Sequence, residues 1–173
     1  MAYTYSKIAT YTVGSGGIPS VSFLNIPQNY TDLVVKASLR TGTGGIGSYQ
    51  LTFNSSSSGY SERLIYGTGS AAGSALQNSS TYIWWGFNTN QNGSTSSTFA
   101  SNEIYIPNYT SGNYKSLSAD SVTENNSTGA TAYLNAGIWA NTSPITSITF
   151  DIEQAALFLE HSTFHLYGIK AEL

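Results

Sequence analysis

This sequence predicts an all-β fold, an antiparallel two-sheet β-sandwich of jelly-roll type. Apolar and polar residues alternate with period two in segment after segment, as in strands with one buried face. Clusters rich in Gly, Ser and Asn at 14–17, 42–48, 54–59, 67–74, 88–97 and 125–129 separate those segments, as turns and loops do. No segment carries the 3.6-residue periodicity of a long helix; Ala155–Glu160 could form one helical turn. About ten short strands with connections of roughly 5–10 residues suit a sandwich or jelly roll.

In chain order, the first strand is expected near 3–13, where aromatic and polar residues alternate through Tyr3, Tyr5 and Tyr11. Residues 1–12 are either that strand or an extended arm able to join a neighbour's sheet edge. A second strand is expected near 19–25. Leu33, Val35, Ala37 and Leu39 then share one face of a strand whose other face carries Lys36, Ser38 and Arg40. Tyr49–Phe53 and Ile148–Ile152 repeat the scheme, and further strands are expected near 62–67, 81–87, 99–106, 114–122 and 131–140. Thr163–Ile169 reads as a closing strand with both faces largely covered. In Tyr82-Ile83-Trp84-Trp85-Gly86-Phe87 both alternating faces are apolar or aromatic, which suits a central strand. The same rings could instead serve a subunit contact or a sugar-stacking platform. There is no internal repeat and no charged linker, so residues 1–173 form one domain.

Composition narrows function more than any motif does. Only 9% of residues are charged while 13% are aromatic, against about 25% charged residues in an ordinary soluble domain. Such a surface suits contact with neighbours better than isolation in water. Net charge is −3, and the six bases Lys7, Lys36, Arg40, Arg63, Lys115 and Lys170 are scattered, so no basic stripe exists for phosphates and no nucleic-acid partner is expected. The chain has no cysteine, which removes disulfides, thiolate metal sites and thiol nucleophiles. The amino terminus lacks the order of a secretory signal, and no apolar run approaches the roughly 20 residues of a membrane helix. A protein made and kept soluble in a cytoplasm, with no membrane partner, is the expectation.

Chemistry finds little purchase. Gly42-Thr43-Gly44-Gly45-Ile46-Gly47 fits G-x-G-x-x-G, but the strand-like Tyr49–Phe53 follows where a dinucleotide fingerprint needs a helix. A hairpin loop is the better reading. His161 and His165 would share a strand face without a local third ligand, and Glu160 could orient one of them as a base. Asp120/Glu124 and Asp151/Glu153 are the closest acidic pairs, too sparse for a calcium loop. No enzyme, cofactor or metal is expected.

Four phrases carry a resemblance: Ile26-Pro27-Gln28-Asn29-Tyr30-Thr31-Asp32-Leu33, Glu103-Ile104-Tyr105-Ile106-Pro107-Asn108-Tyr109, Asp120-Ser121-Val122-Thr123-Glu124-Asn125-Asn126, and Leu166-Tyr167-Gly168-Ile169-Lys170. In order along the chain, they resemble small β-rich virion structural proteins of tailed bacteriophages, particularly phages of cyanobacteria and other aquatic bacteria. The resemblance implies a virion component, with capsid decoration and tail-fibre roles both open, and transfers no functional residues.

Size and shape choose between those roles. A fibre protein needs a shaft or trimerising coiled coil, and this chain has neither. The leading expectation is a capsid decoration, or cement, protein that docks on the major capsid protein as a homotrimer in the virion, assembled in the host cytoplasm. Tyr3, Tyr5, Tyr11, Tyr82 and Trp84 are its candidate contact residues. The alternative is a tail-fibre or receptor-binding head that stacks host surface glycans on Tyr82, Trp84 and Trp139.

Overall fold

The computed structural model describes residues 3–42, 47–84, 88–91, 94–126, 129–152 and 156–171. Among these the chain forms twelve strands and no helix. They are β1 (Tyr3–Thr12), β2 (Ser20–Phe23), β3 (Asp32–Thr41), β4 (Gly47–Phe53), β5 (Tyr60–Gly67), β6 (Ala72–Ser80), β7 (Asn88–Gln91), β8 (Ala100–Ile106), β9 (Lys115–Thr123), β10 (Thr131–Trp139), β11 (Ile148–Ile152) and β12 (Thr163–Ala171). Alternation decides most of them. In β9, Lys115, Leu117, Ala119, Ser121 and Thr123 are buried while the residues between them are exposed.

The ladders run in the order β2-β11-β4-β7-β3-β8-β9-β10-β5-β6, with β12 on the other side of β3 and β1 beyond β12. Every pairing is antiparallel except β3 with β7. The all-β class is as expected. The division into two separate sheets is not how the ladders fall, because the four-residue β7 pairs with both β4 and β3 and joins everything into one mixed sheet.

Between β3 and β4 the predicted hairpin is a crossing connection, since the two strands do not pair with each other; positions 43–46 of the glycine motif lie outside the described residues. β7 falls in a stretch read as a loop, and β6 begins in one at 72–74 and continues through residues assigned to no strand. Conversely, the strand expected at 81–87 is reduced to one bridge from Ile83 to Leu51, with 85–87 outside the described residues. Local composition misleads here: Ala72–Ser80 has poor strand propensity but is templated by β5 along its length. The expected helical turn is likewise replaced, where described, by Phe158 bridging Ile18 and Thr41.

The core is a set of rings, some on strands that pair and some facing one another across strands that share no ladder. Phe150 of β11 lies 5.2 Å from Phe164 of β12, ring centre to ring centre, and also meets Phe23 and Tyr49 edge-on. Phe158 meets Tyr49 and Phe164. At the other end Trp139 stacks on Tyr60 and leans on Phe53. The Tyr60 hydroxyl receives the Phe53 N–H at 2.8 Å and donates back to the Phe53 carbonyl.

Buried polar groups tie the loops to this core. Lys115 Nζ donates to the carbonyls of Ser111, Asn113, Asn141 and Thr142, and burial lowers its pKa. The Arg40 guanidinium donates to the carbonyls of Ser94, Thr95 and Thr98. Asn54 Oδ1 accepts from the Thr146 and Ser147 amides. Asp32 accepts from the Tyr105 hydroxyl and the Asn108 amide, holding the turn after β8.

Gly168 in β12 is required by its neighbour. A Cβ there would sit 2.3 Å from Cγ of Tyr30, whose ring lies over the glycine. Gly168→Ala must push that ring away from its root, where it cannot swing clear. Urea denaturation is expected to record a loss of about 1–3 kcal/mol, the usual cost of overpacking; unchanged stability would mean that Tyr30 does not need its place.

Candidate interaction surface

The solvent-facing side of the long antiparallel run β1-β12-β3-β8-β9-β10-β5-β6 is divided between charge and hydrocarbon. One register row crosses it: Thr10, His165, Lys36, Glu103, Asp120, Leu134, Ile65 and Ser74 lie opposite one another in turn. Charge occupies the middle of the row. Lys36 and Glu103 form an ion pair of 2.8 Å, which raises the lysine pKa. Beside them Asp120 is shifted upward, first by desolvation and then by the Glu103 carboxylate. This exposed pair is screened by water and contributes little stability.

Beyond Asp120 the face turns apolar. Leu134, Ile65 and Leu76 are 54%, 59% and 59% exposed, far more than large aliphatic side chains gain from in water. Val122, which lies opposite Ala132, extends the patch at 42% exposure. Arg63, Ile65, Ser74, Leu76, Leu134 and Ala136 line a shallow groove of about 670 Å³ across the three outermost strands. Arg63, the cation within it, is held to its own chain: its guanidinium donates to the carbonyls of Glu62 and Gln77 and to Asn78 Oδ1.

On the opposite side of the same strands, Tyr66 and Tyr133 stack with centres 5.6 Å apart. The Tyr66 ring covers Gly73, where a Cβ would meet its hydroxyl at 2.6 Å. Deeper in, the buried Glu62 carboxylate accepts from the Trp84 amide and from Asn135 Nδ2. These groups stiffen β10-β5-β6 from below, so the apolar face is carried on a braced platform.

The contact residues expected from sequence are not gathered here. Tyr5 and Tyr11 are exposed on β1, at the far edge of the run, and Tyr5 meets Tyr167 edge-on. The Tyr3 side chain lies outside what is described. β1 pairs with β12 from Tyr3 to Thr12, so within this chain the segment is a first strand and not a free arm. Tyr82 and Trp84 follow β6 and are half-buried. Trp139 is fully buried in the core, which removes it as a stacking platform.

Nor do the described residues assemble a cluster that could hold a metal ion. His161 sits in the turn before β12 with a positive φ of 71°, while His165 is within β12 and 3.1 Å from Thr10 Oγ1, so the two do not share one strand. Among the described residues no group of three His, Asp or Glu side chains could hold a metal ion. Glu153 lies outside the described residues.

Ile65 and Leu134 escaped sequence reading because each has an apolar neighbour of the opposite parity, and Leu76 because its segment was not read as a strand. Leu64-Ile65-Tyr66 and Tyr133-Leu134 offer both faces to hydrocarbon, and nothing local says which face stays open. The signal that could have found the surface was the absence of any charged residue from 64 to 102. No family model, no curated protein and no solved structure matches this chain.

Proposed function

We propose that this protein is a structural component of a virion, a capsid decoration protein that docks on the shell of major capsid subunits and stabilises it. The observation that carries the reading is the braced apolar face of Ile65, Leu76 and Leu134 in a chain with so little charge elsewhere. A surface of this kind loses little on desolvation and gains on every aliphatic group covered, about 25 cal/mol per Å². Repetition over a lattice multiplies a modest contact into firm attachment. The β2-β11-β4 ladder, folded back so that Phe150 meets Phe164, is read as the second layer of a β-sandwich, the rigid form a passive clamp requires.

Copy number tests this reading. Quantitative mass spectrometry of purified particles is expected to find the chain in a fixed, high ratio to the major shell subunit. A few copies per particle would place it in the tail, and absence from particles would overturn the proposal.

A further inference from the structure

We propose that the cleft around Arg40 binds a neutral pyranose sugar. The inference does not rest on the virion reading, and no residue of this cleft lines the apolar groove.

Three connections converge on Arg40, near the end of β3: the loop between β1 and β2, the segment before β8 and the turn before β12. The Leu159 amide donates to the Arg40 carbonyl at 2.8 Å, and Ser162 Oγ bonds both the Arg40 amide and its carbonyl. The His161 amide donates to the Val13 carbonyl and the Ile18 amide to the Phe158 carbonyl, each at 3.0 Å. Between these loops lies a cleft of about 480 Å³, whose walls include Gly17, Arg40, Ser97, Phe99, Glu160 and His161. That is the size of pockets that take small ligands. Gly17, Ser97 and His161 hold φ of 71°, 62° and 71°. For Ser97 and His161 that conformation costs energy and persists because the bonds around Arg40 fix both segments, so the cleft is formed in advance. Gly17 admits no side chain, since a Cβ would sit 2.8 Å from the Phe158 carbonyl oxygen.

The polar groups of the cleft select its ligand. Arg40 is 9% exposed, and among the described residues it has no carboxylate partner, the ion pair there being Lys36–Glu103. Its Nη1 protons go to the Thr95 and Thr98 carbonyls and one Nη2 proton to that of Ser94. The Nε proton and the other Nη2 proton have no acceptor among the described residues. Glu160, exposed on the same cleft, has no cation partner there either. A guanidinium only donates and a carboxylate only accepts. A ligand that meets both must carry acceptors and donors side by side, as neighbouring ring hydroxyls do. The two charges cancel, so an anion gains at Arg40 what it loses beside Glu160, and a cation the reverse. Phe99, half-buried in the wall, offers an apolar ring to the C–H face of a pyranose. The neutral imidazole of His161 adds one donor and one acceptor at the rim.

NMR titration of the 15N-labelled chain tests the proposal, with glucose, galactose, mannose and N-acetylglucosamine as probes, each up to about 50 mM. At least one is expected to give saturable shifts at the Gly17 and Ser97 amides, with a Kd below about 10 mM. Glu160→Ala, in an exposed turn, is expected to weaken that sugar at least about 10-fold, the loss of a hydrogen bond to a charged group, with the rest of the spectrum unchanged. Arg40→Met is expected to abolish binding; if it fails to fold, Phe99→Ala takes its place, with a loss of at least about 10-fold. Ile65→Ser, on the apolar face, is expected to bind as the wild type does. The methyl glycoside of the same sugar separates two sources: equal affinity assigns the cleft to the end of a glycan chain, and loss assigns it to the free sugar. No saturable shift with any of the four sugars overturns the proposal, as does undiminished binding by Glu160→Ala and Phe99→Ala. Glucuronate or inorganic phosphate bound more tightly than every neutral sugar would also overturn it. Failure here leaves the particle-copy prediction standing, so the two readings fail separately.

Discussion

Phe150→Ala is expected to lower the free energy of unfolding by about 3–5 kcal/mol, a large part of the roughly 5–15 kcal/mol available to a domain of this kind. The side chain is wholly buried and its ring touches Phe23, Tyr49 and Phe164. It is the point where β11, hydrogen-bonded to β2 and β4, meets β12 without a ladder between them. Truncation removes the transfer energy of the ring and leaves a hole lined by other rings, which cannot collapse freely because each is itself fixed by neighbours. Urea denaturation with an unchanged m-value measures the loss. The informative companion is Ile65→Ser. Ile65 is a similarly apolar residue but 59% exposed, so its replacement is expected to change stability by no more than about 0.5 kcal/mol. A loss below about 1 kcal/mol for Phe150→Ala would show that the ring cluster does not hold the ladders together.

The contrast between those two residues marks how far the sequence could be read. Alternation in Leu33–Arg40, Tyr49–Phe53 and Ile148–Ile152 identified the strands that bury one face, because period two leaves no other economical arrangement. It failed at Ala72–Ser80, where small polar residues adopt a strand only because β5 lies beside them. It failed in the other direction at Tyr82–Trp84, where aromatic density resembles a central strand but, among the described residues, Ile83 alone makes a bridge. Both errors have one cause: strand propensity measures fit to a half-buried pleated surface, and that surface is supplied by other parts of the chain. The candidate interaction face was illegible for the same reason. Whether Ile65 points to the core or to water depends on which side of β5 the rings of Tyr60 and Trp139 occupy, and that is settled by residues almost eighty positions away. Edge status is equally nonlocal. β1 looked like the strand to offer a neighbour because of its tyrosines, yet strand order among the described residues leaves β6 as an edge as well, and each of the two carries a bulge.

Raising the pH above about 10 is expected to unfold the protein steeply. Tyr49, Tyr60 and Tyr109 are buried, and burial is the largest cause raising each phenol above its ordinary value of 10.0. Each hydroxyl also donates a hydrogen bond that requires the proton: Tyr49 to Asn102 Oδ1, Tyr60 to the Phe53 carbonyl and Tyr109 to the Pro27 carbonyl. In the unfolded chain these phenols ionise near 10, while in the folded chain they stay neutral. The unfolded state therefore binds fewer protons above that pH, and stability falls with a slope of about 1.4 kcal/mol per pH unit for every tyrosine so held. Lys115 acts in the opposite sense. Its pKa is lowered by burial from 10.5, so between the folded value and 10.5 the unfolded state holds the extra proton and stability rises. That gain is complete once the unfolded lysine has lost its proton, and above it the tyrosines set the slope alone. Lys36, raised by Glu103, adds a further loss that salt should screen. Urea midpoints measured from about pH 8 to 11.5 are expected to hold or rise slightly and then drop sharply. Tyr49→Phe is expected to make the drop shallower by one tyrosine's share, since phenylalanine has no proton to lose in either state. A midpoint that stays level through about pH 11.5 would mean that the phenols ionise as readily inside the fold as outside it.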